Sequence, residues 1–444
     1  MRLFSLSFYF EEKRFGIFTP IVILLLSVSA FAENNLNLPE SDGQVHLGVA
    51  SCASSVCHGS LLERKATSVL QNEFVTWSRH DRHAVAYQTL FSKESETIAK
   101  NLGLASAHEA KICLDCHADN VSSEFRGPAF DLSDGVGCES CHGGAQGWID
   151  EHVAVSRTKN SKPHSGLYPS HETKAMARLC LSCHLGTQSK LANHQIMGAG
   201  HPRLSFELVT FLELMPPHWL KDADYEKRKG MTQHVEIWVV GQLQAARKTL
   251  ELIEQHLVTS ESIVPELVLF DCHACHHPMS EQRWAPFPMI DGVNPGALRI
   301  NLAALGFLVP ISSSIEPESG DQITELLKQL NRTVQKSRMA TSAVVRDLKG
   351  IVDNLEKQLD EGRPLSQRTL LHFLVDSAAR GAFRDYALAE QAAMAMNLLF
   401  EDLDLWDASR EGMRQVFESL ADDEAYVPEE FANQAGALEI ILQR

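Results

Sequence analysis

Ten cysteines in a chain of 444 residues stand in five pairs, and each pair is followed at once by a histidine. Four pairs share one spacing: Cys113-Leu-Asp-Cys116-His117, Cys138-Glu-Ser-Cys141-His142, Cys180-Leu-Ser-Cys183-His184 and Cys272-His-Ala-Cys275-His276. The fifth, Cys52-Ala-Ser-Ser-Val-Cys57-His58, has two extra residues between its cysteines. Thiols three positions apart on one turn can both add to the vinyl groups of a single porphyrin. The next residue is then set to ligate the iron from the same face, which is the logic of covalent haem attachment. Zinc ribbons also use Cys-x-x-Cys, and an exported chain with ten cysteines would ordinarily form disulfides. Five adjoining histidines and an odd number of pairs favour haem c, five groups in all. For the widened first pair a Cys52–Cys57 disulfide stays open as an alternative.

The motifs supply five proximal ligands, His58, His117, His142, His184 and His276, out of 20 histidines. A buried haem iron that passes electrons with little reorganisation needs a second strong ligand. The candidates are His201, His152, His83 and His194, then His80, His164, His234 and His277. His80 and His83 lie three apart after Trp77. His152 returns over a glycine loop toward the motif that ends at His142. His194 and His201 flank Met197-Gly-Ala-Gly. Met197 and Met215 are possible sulfur ligands, though methionine at such spacing more often packs.

Several elements must position these groups. Lys13 and Arg14 precede an apolar run that closes on Ala30-Phe31-Ala32, the pattern of a secretory signal over residues 1–32. The run is too short and interrupted for a bilayer span of roughly 20 residues. The expected location is the periplasm or another extracytoplasmic space, with no transmembrane segment in the mature chain and an N-terminal anchor as the lesser reading. Residues 33–50 read as a polar lead-in, 51–316 as the five-haem domain and 317–444 as a helical domain without haem. A long helix is expected over about Thr232 to Leu257, with Thr232 as its cap. Residues 283–312, rich in Pro and Gly, read as a wrapping loop. Beyond Asp321 apolar residues recur at helical spacing (Val345, Leu348, Val352, Leu355, Leu359), Ser366 marks a helix start, and Ala387–Phe400 reads as buried helix. The fold class is therefore mainly α with long irregular loops. A net charge of −17 argues against nucleic acid and anionic membrane and favours basic protein partners.

The run Trp77-Ser-x-His-x-x-His83-Ala84, then Gly135-Val-Gly-Cys-Glu-Ser-Cys-His142-Gly143 with His152, then Leu179-Cys-Leu-Ser-Cys-His184-Leu-Gly with Gly200-His201-Pro202, resembles the family of the tetrahaem cytochrome that accepts electrons from hydroxylamine oxidoreductase. Phe270-Asp-Cys-His-Ala-Cys-His-His277 is similar to that family's closing motif. The resemblance covers roughly residues 50–300. It implies a fold organised around closely stacked haem pairs, mostly bis-histidine ligation, and His83, His152 and His201 as distal ligands. The fifth attachment site and the C-terminal helices depart from the tetrahaem pattern. Two functions follow as expectations. The first is an electron carrier within a respiratory chain, between a redox protein donor and an acceptor, such as a membrane-bound quinol-linked or a periplasmic oxidoreductase. The alternative is a reductase or oxidase of a small nitrogen or sulfur compound at one five-coordinate haem, with the first haem as its candidate and Arg79 or Arg82 nearby. No Cys-x-x-Cys-Lys motif is present to mark a catalytic haem. A third expectation makes the C-terminal helices a docking module or a cover over the haems.

Overall fold

Helices in this chain begin where a side chain can satisfy the free N–H groups of a first turn. The computed structural model describes residues 37–444, apart from 65–68, 153–165, 277–292, 294–296, 443–444 and most of 221–232. The signal-like residues 1–32, His164, His277 and Thr232 thus lie outside the described residues. The α-helices of five or more residues are α1 (Glu73–His80), α2 (Lys93–Asn101), α3 (Lys111–His117), α4 (Cys138–His142), α5 (Thr173–His184), α6 (His194–Gly198), α7 (Leu208–Leu214), α8 (His234–Ile253), α9 (Leu308–Ile315), α10 (Gly320–Thr333), α11 (Arg338–Asp360), α12 (Gln367–Ala379), α13 (Tyr386–Asp402), α14 (Trp406–Glu418) and α15 (Pro428–Gly436). No strand occurs among the described residues, only two isolated bridges, His46 with Arg126 and Phe270 with Ile300. The mainly α class with irregular connections is the observed fold.

The long helix starts one residue after the expected position and by another device. Gln233 and Glu236 form a reciprocal capping box at the head of α8. The α-helix ends at Ile253 and continues as a π-turn over Glu254–Val258. Its inward face, Val235, Trp238, Val239, Leu243, Ala246 and Leu250, is fully enclosed. α8 packs against α5 and α7 on one side and against α11 and α13 on the other, so one helix touches both the motif-bearing region and the C-terminal helices.

The C-terminal helices follow the apolar periodicity. Val345, Leu348, Val352 and Leu355 line one face of α11, which lies against α10 and α8. Ser366 caps α12 by accepting from the Thr369 amide. α13 is nearly apolar all round and buries Leu388, Ala389, Ala392, Ala393, Met396 and Phe400, as a helix enclosed on every side must. The expected loop over 283–312 ends sooner than its composition suggested, because Leu308–Ile315 is helical. Pro310 stands in the first turn of α9, where a missing N–H breaks no intrahelical bond. A proline there does not exclude a helix.

Of the lead-in read over 33–50, residues 37–50 are described, and Pro39, His46 and Val49 among them are buried. His46 is completely buried; its Nδ1 bonds the Asp119 carboxylate at 2.7 Å and its Nε2 the Pro39 carbonyl at 3.3 Å. Asp119 raises the His46 pKa against the opposing effect of burial. Glu139 lies beside them, and its carboxylate accepts the amides of Leu47, Gly48 and Ala145, each at 2.7 Å. His46, Asp119 and Glu139 gather their ligand atoms closely enough to suggest a metal site. Both nitrogens of His46, both oxygens of Glu139 and one of Asp119 are already engaged by protein, so the cluster works as a hydrogen-bond knot. It ties the N-terminal segment to the third motif.

Candidate functional site

Every attachment motif sits on a tight turn, and the turn's own hydrogen bonds set the cysteines on one side. His117 and His184 end α3 and α5, and Cys138–His142 is α4 entire. In the last motif the His276 amide donates to the Cys272 carbonyl at 2.8 Å. The widened first motif closes in the same way: the His58 amide reaches the Cys52 carbonyl at 3.3 Å, while Cys57 donates back to Ser54. Its two extra residues loop out, and the histidine still returns over the first cysteine. None of the ten cysteines is joined to another by a disulfide.

Each motif histidine faces one other histidine. The ring centroids are 6.2 Å apart for His58 and His152, 6.3 Å for His184 and His83, 6.5 Å for His117 and His201, 6.3 Å for His142 and His218, and 6.2 Å for His276 and His194. That constancy has a physical meaning. Two imidazoles on opposite sides of one metal, with metal–nitrogen bonds of about 2.0–2.1 Å and a ring radius of about 1.1 Å, put their centroids roughly 6.3 Å apart. Direct packing or hydrogen bonding of two rings would bring them closer. The planes differ: 19° and 35° for the pairs containing His58 and His276, and 80–88° for the other three.

The outer nitrogens are anchored so that Nε2 points inward. His58 Nδ1 bonds Glu73 at 2.9 Å and His83 Nδ1 bonds Asp81 at 2.9 Å. His117 Nδ1 bonds the Ala86 carbonyl at 3.1 Å, His201 Nδ1 the Pro202 carbonyl at 2.8 Å, and His152 Nδ1 the Ile149 carbonyl. Ser170 reaches His142 Nδ1 at 3.4 Å. This is the arrangement by which outer partners fix the tautomer and orientation of a metal-binding imidazole. Burial drives His142 and His184 down to about 4, so both rings are neutral and hold a lone pair ready for a metal.

Glycine clears the space these turns need. Gly143, directly after His142, has φ of +82°, and a Cβ there would lie 2.5 Å from the Gly166 carbonyl oxygen. Gly135, at φ of +71°, would collide with the His83 carbonyl at 2.7 Å. Between the motifs runs a cavity of about 1530 Å³ that reaches Cys52, Cys116, Cys138, Cys141, Cys180 and Cys183. It exceeds the roughly 300–1,000 Å³ of a pocket for one drug-sized ligand, so it suits several flat groups side by side. Motifs also touch in pairs. The Cys52 and Cys138 sulfurs lie close together, as do those of Cys116 and Cys183. Cys141 lies within electrostatic reach of Cys180 and Cys183.

Of the candidate second ligands, His83, His152, His194 and His201 each stand opposite a motif histidine. His152 faces His58 of the first motif, although its glycine loop leads from the third. His80 ends α1 exposed to solvent. His234 is half-exposed at the head of α8, 3.7 Å from Asp402 and 3.8 Å from Glu213. His218 was missed by the sequence reading and completes the set opposite His142. Its segment, Met215-Pro-Pro-His218-Trp219, carries a signal in the rigid proline pair that precedes the histidine.

Residues 51–143 match the protein family described as cytochrome c554 and c-prime. That span holds the first three attachment motifs and His83. No curated protein matches the chain, and no solved structure does. The family match supports a c-type cytochrome: an electron carrier with covalently bound haem c and redox partners. It does not single out an acceptor of electrons from hydroxylamine oxidoreductase. No helix of the described residues is long and apolar enough to cross a membrane.

Proposed function

We propose that this chain is an extracytoplasmic cytochrome c with five haems, all ligated by two histidines, that relays electrons between redox proteins of a respiratory chain. The observation that carries the reading is the set of five histidine pairs at one spacing, 6.2–6.5 Å, each containing a motif histidine. Cys52 and Cys57, Cys113 and Cys116, Cys138 and Cys141, Cys180 and Cys183, and Cys272 and Cys275 would form the thioether links. His58, His117, His142, His184 and His276 would be the proximal ligands, and His152, His201, His218, His83 and His194 their respective distal partners. Bound haem supplies reversible one-electron chemistry at iron. The protein holds the rings rigid, so that oxidation and reduction demand little movement.

The contacts between motifs favour a linear order. The Cys52–Cys138 contact joins the first site to the third, Cys141 with Cys180 and Cys183 joins the third to the fourth, and Cys116–Cys183 joins the second to the fourth. α6 and the turn after it carry both His194 and His201, which joins the second site to the fifth. The relay then runs first, third, fourth, second, fifth. At its first-site end Val56, Leu61 and Leu62 are exposed, a surface suited to a docking protein. Export through a signal over residues 1–32 fits covalent haem, and a partner like hydroxylamine oxidoreductase is one member of the class of donors. His152 opposite His58 removes the motive for an open, catalytic first iron.

Electron paramagnetic resonance of the oxidised protein, with haem counted as pyridine haemochrome, tests the reading. Five haems with low-spin signals alone are expected. A high-spin signal that accepts cyanide or nitric oxide would overturn the carrier and favour the enzyme. The ring planes sharpen the test: the first and fifth sites should give rhombic signals and the other three strongly anisotropic ones.

A further inference from the structure

Behind the fifth motif two carboxylates are buried against each other. Asp271, which directly precedes Cys272, and Asp385, the first residue before α13, are each 7% exposed, and Arg299 beside them is 8% exposed. The two carboxyl groups adjoin, close enough to act on each other's protonation. Asp271 Oδ2 accepts from the Arg299 guanidinium at 2.7 Å, and Asp271 Oδ1 accepts from the His273 amide at 3.0 Å. Asp385 Oδ1 accepts from the Leu388 amide at 2.9 Å. Such a pair takes a proton on one of its members, because two adjoining carboxylates out of water cannot both stay ionised without more positive charge.

We infer that Asp271, Asp385 and Arg299 form a proton-accepting site coupled to the haem on Cys272 and Cys275, so that electron uptake there is matched by proton uptake from water. The inference rests on the reading of Cys272–His276 as an attachment site. The charge balance is simple. Propionates aside, the iron and porphyrin core of ferric haem with two neutral imidazoles would carry one net positive charge, which offsets the second carboxylate when Arg299 offsets the first. When one electron arrives from the redox donor that charge is lost, and a proton from water forms an O–H bond on a carboxylate oxygen of the pair. Electron and proton together leave the charge around the fifth site unchanged between the two states.

Three observations support the coupling. Burial, then the charge of Asp271, hold the Asp385 carboxyl well above the usual carboxylate range, with Arg299 opposing. The Cys272 thiol is raised by burial first and then by Asp385 and Asp271, so the field of the pair reaches the sulfur that would join the haem. Other charged groups nearby are matched among themselves. Arg203, which also acts on Cys272, bonds Glu390 at 3.3 Å, lies 3.9 Å from Asp423 and covers the Tyr386 ring. The Tyr386 hydroxyl donates to the Leu420 carbonyl. The His273 ring packs edge-on against Tyr386 at 5.9 Å.

Potentiometric titration of the intact protein at a series of pH values tests this. One of five components should shift tenfold in its reduction equilibrium per pH unit, about 59 mV, across the range where the pair titrates. Asp385→Asn should remove that slope and keep five haems, since Asn caps a helix as well as Asp does. Redox-difference infrared spectra of wild-type protein labelled with 13C-aspartate give an independent reading that needs no variant. A carboxylic C=O band that rises on reduction and moves with the label is expected, and haem propionates cannot produce it. An unchanged slope in Asp385→Asn, or no label-sensitive band, would overturn the inference while five low-spin haems left the carrier reading intact. A count of four haems with Cys272 and Cys275 unmodified would bring down both.

Discussion

Between residues 37 and 208 the buried apolar side chains are few and scattered, and the cluster they form is Leu90, Ala99, Ala107, Leu114 and Ala118 with a few partly covered neighbours. From Val235 to Leu442 one continuous core encloses residues from α8 through the C-terminal helices, many of them without any exposed surface. Both regions are helical, yet they meet the demand for buried surface in different ways. The first has turns, glycines and ring pairs disposed around a cavity of about 1530 Å³, and the porphyrin faces would supply the apolar surface that its side chains do not. The second packs leucine, valine, alanine and phenylalanine against one another. A region can be well ordered with a small core of its own if its cofactor serves as that core.

The comparison breaks most visibly if haem is withheld. Chain produced without haem attachment should lose fixed structure over residues 37–207 and keep it over α10–α15. Hydrogen exchange read by mass spectrometry should find protection only in the C-terminal helices. Uniform protection along both regions would mean that the first half has a sufficient core after all.

Removing core side chains should separate the regions by energy. Leu371 in α12 has no exposed surface, and Leu371→Ala should cost about 2–5 kcal/mol, as buried leucine truncations do. Leu114→Ala, in the small cluster, should cost less, since fewer side chains surround it. In Leu371→Ala the haem count should remain five, because thioether links do not depend on the C-terminal core. Thermal unfolding followed by far-ultraviolet circular dichroism, with haemochrome on the same samples, gives both numbers.

How much of each region could be read in advance follows the same division. The attachment motifs are local: five cysteine pairs with histidine need no tertiary contact to be seen. The C-terminal helices are nearly as plain, because Val345, Leu348, Val352 and Leu355 repeat at the period of a helix and Ser366 caps the next. The second histidines depend on the fold between motifs. His152 follows the third motif in sequence and faces the first in space, since the turn at Gly143 and the chain beyond it lead away from His142. His218 lies beyond three further helices, and no spacing connects it to Cys138–His142. The end of the wrapping loop was hidden by Pro310, a helix breaker by composition that is harmless in a first turn.

Altering a second histidine should act on chemistry more than on stability. His218→Ala leaves the third site with His142 alone. One haem of five should become high-spin and bind carbon monoxide, and the other four signals should stay low-spin. If all five remained low-spin, another side chain would be closing that iron.

The smallest effect belongs to the carboxylates behind the ligands. Asp81 holds His83 and Glu73 holds His58 through Nδ1, each at 2.9 Å, whereas His117 and His201 lean on neutral carbonyls. A carboxylate on the far nitrogen gives the imidazole more electron density and places negative charge near the metal, which favours the ferric state. Asp81→Asn and Glu73→Gln keep a hydrogen-bond acceptor and remove the charge, so each should raise the potential of its own site. The rise should be at most about tenfold in the reduction equilibrium, or about 59 mV. Because Asp81 is buried and Glu73 is more open to solvent, with side-chain exposures of 8% and 15%, the Asp81 variant should give the larger shift. Potentiometry of the two variants beside wild type would show it, and equal shifts would mean that the haem itself evens out the difference in solvent exposure.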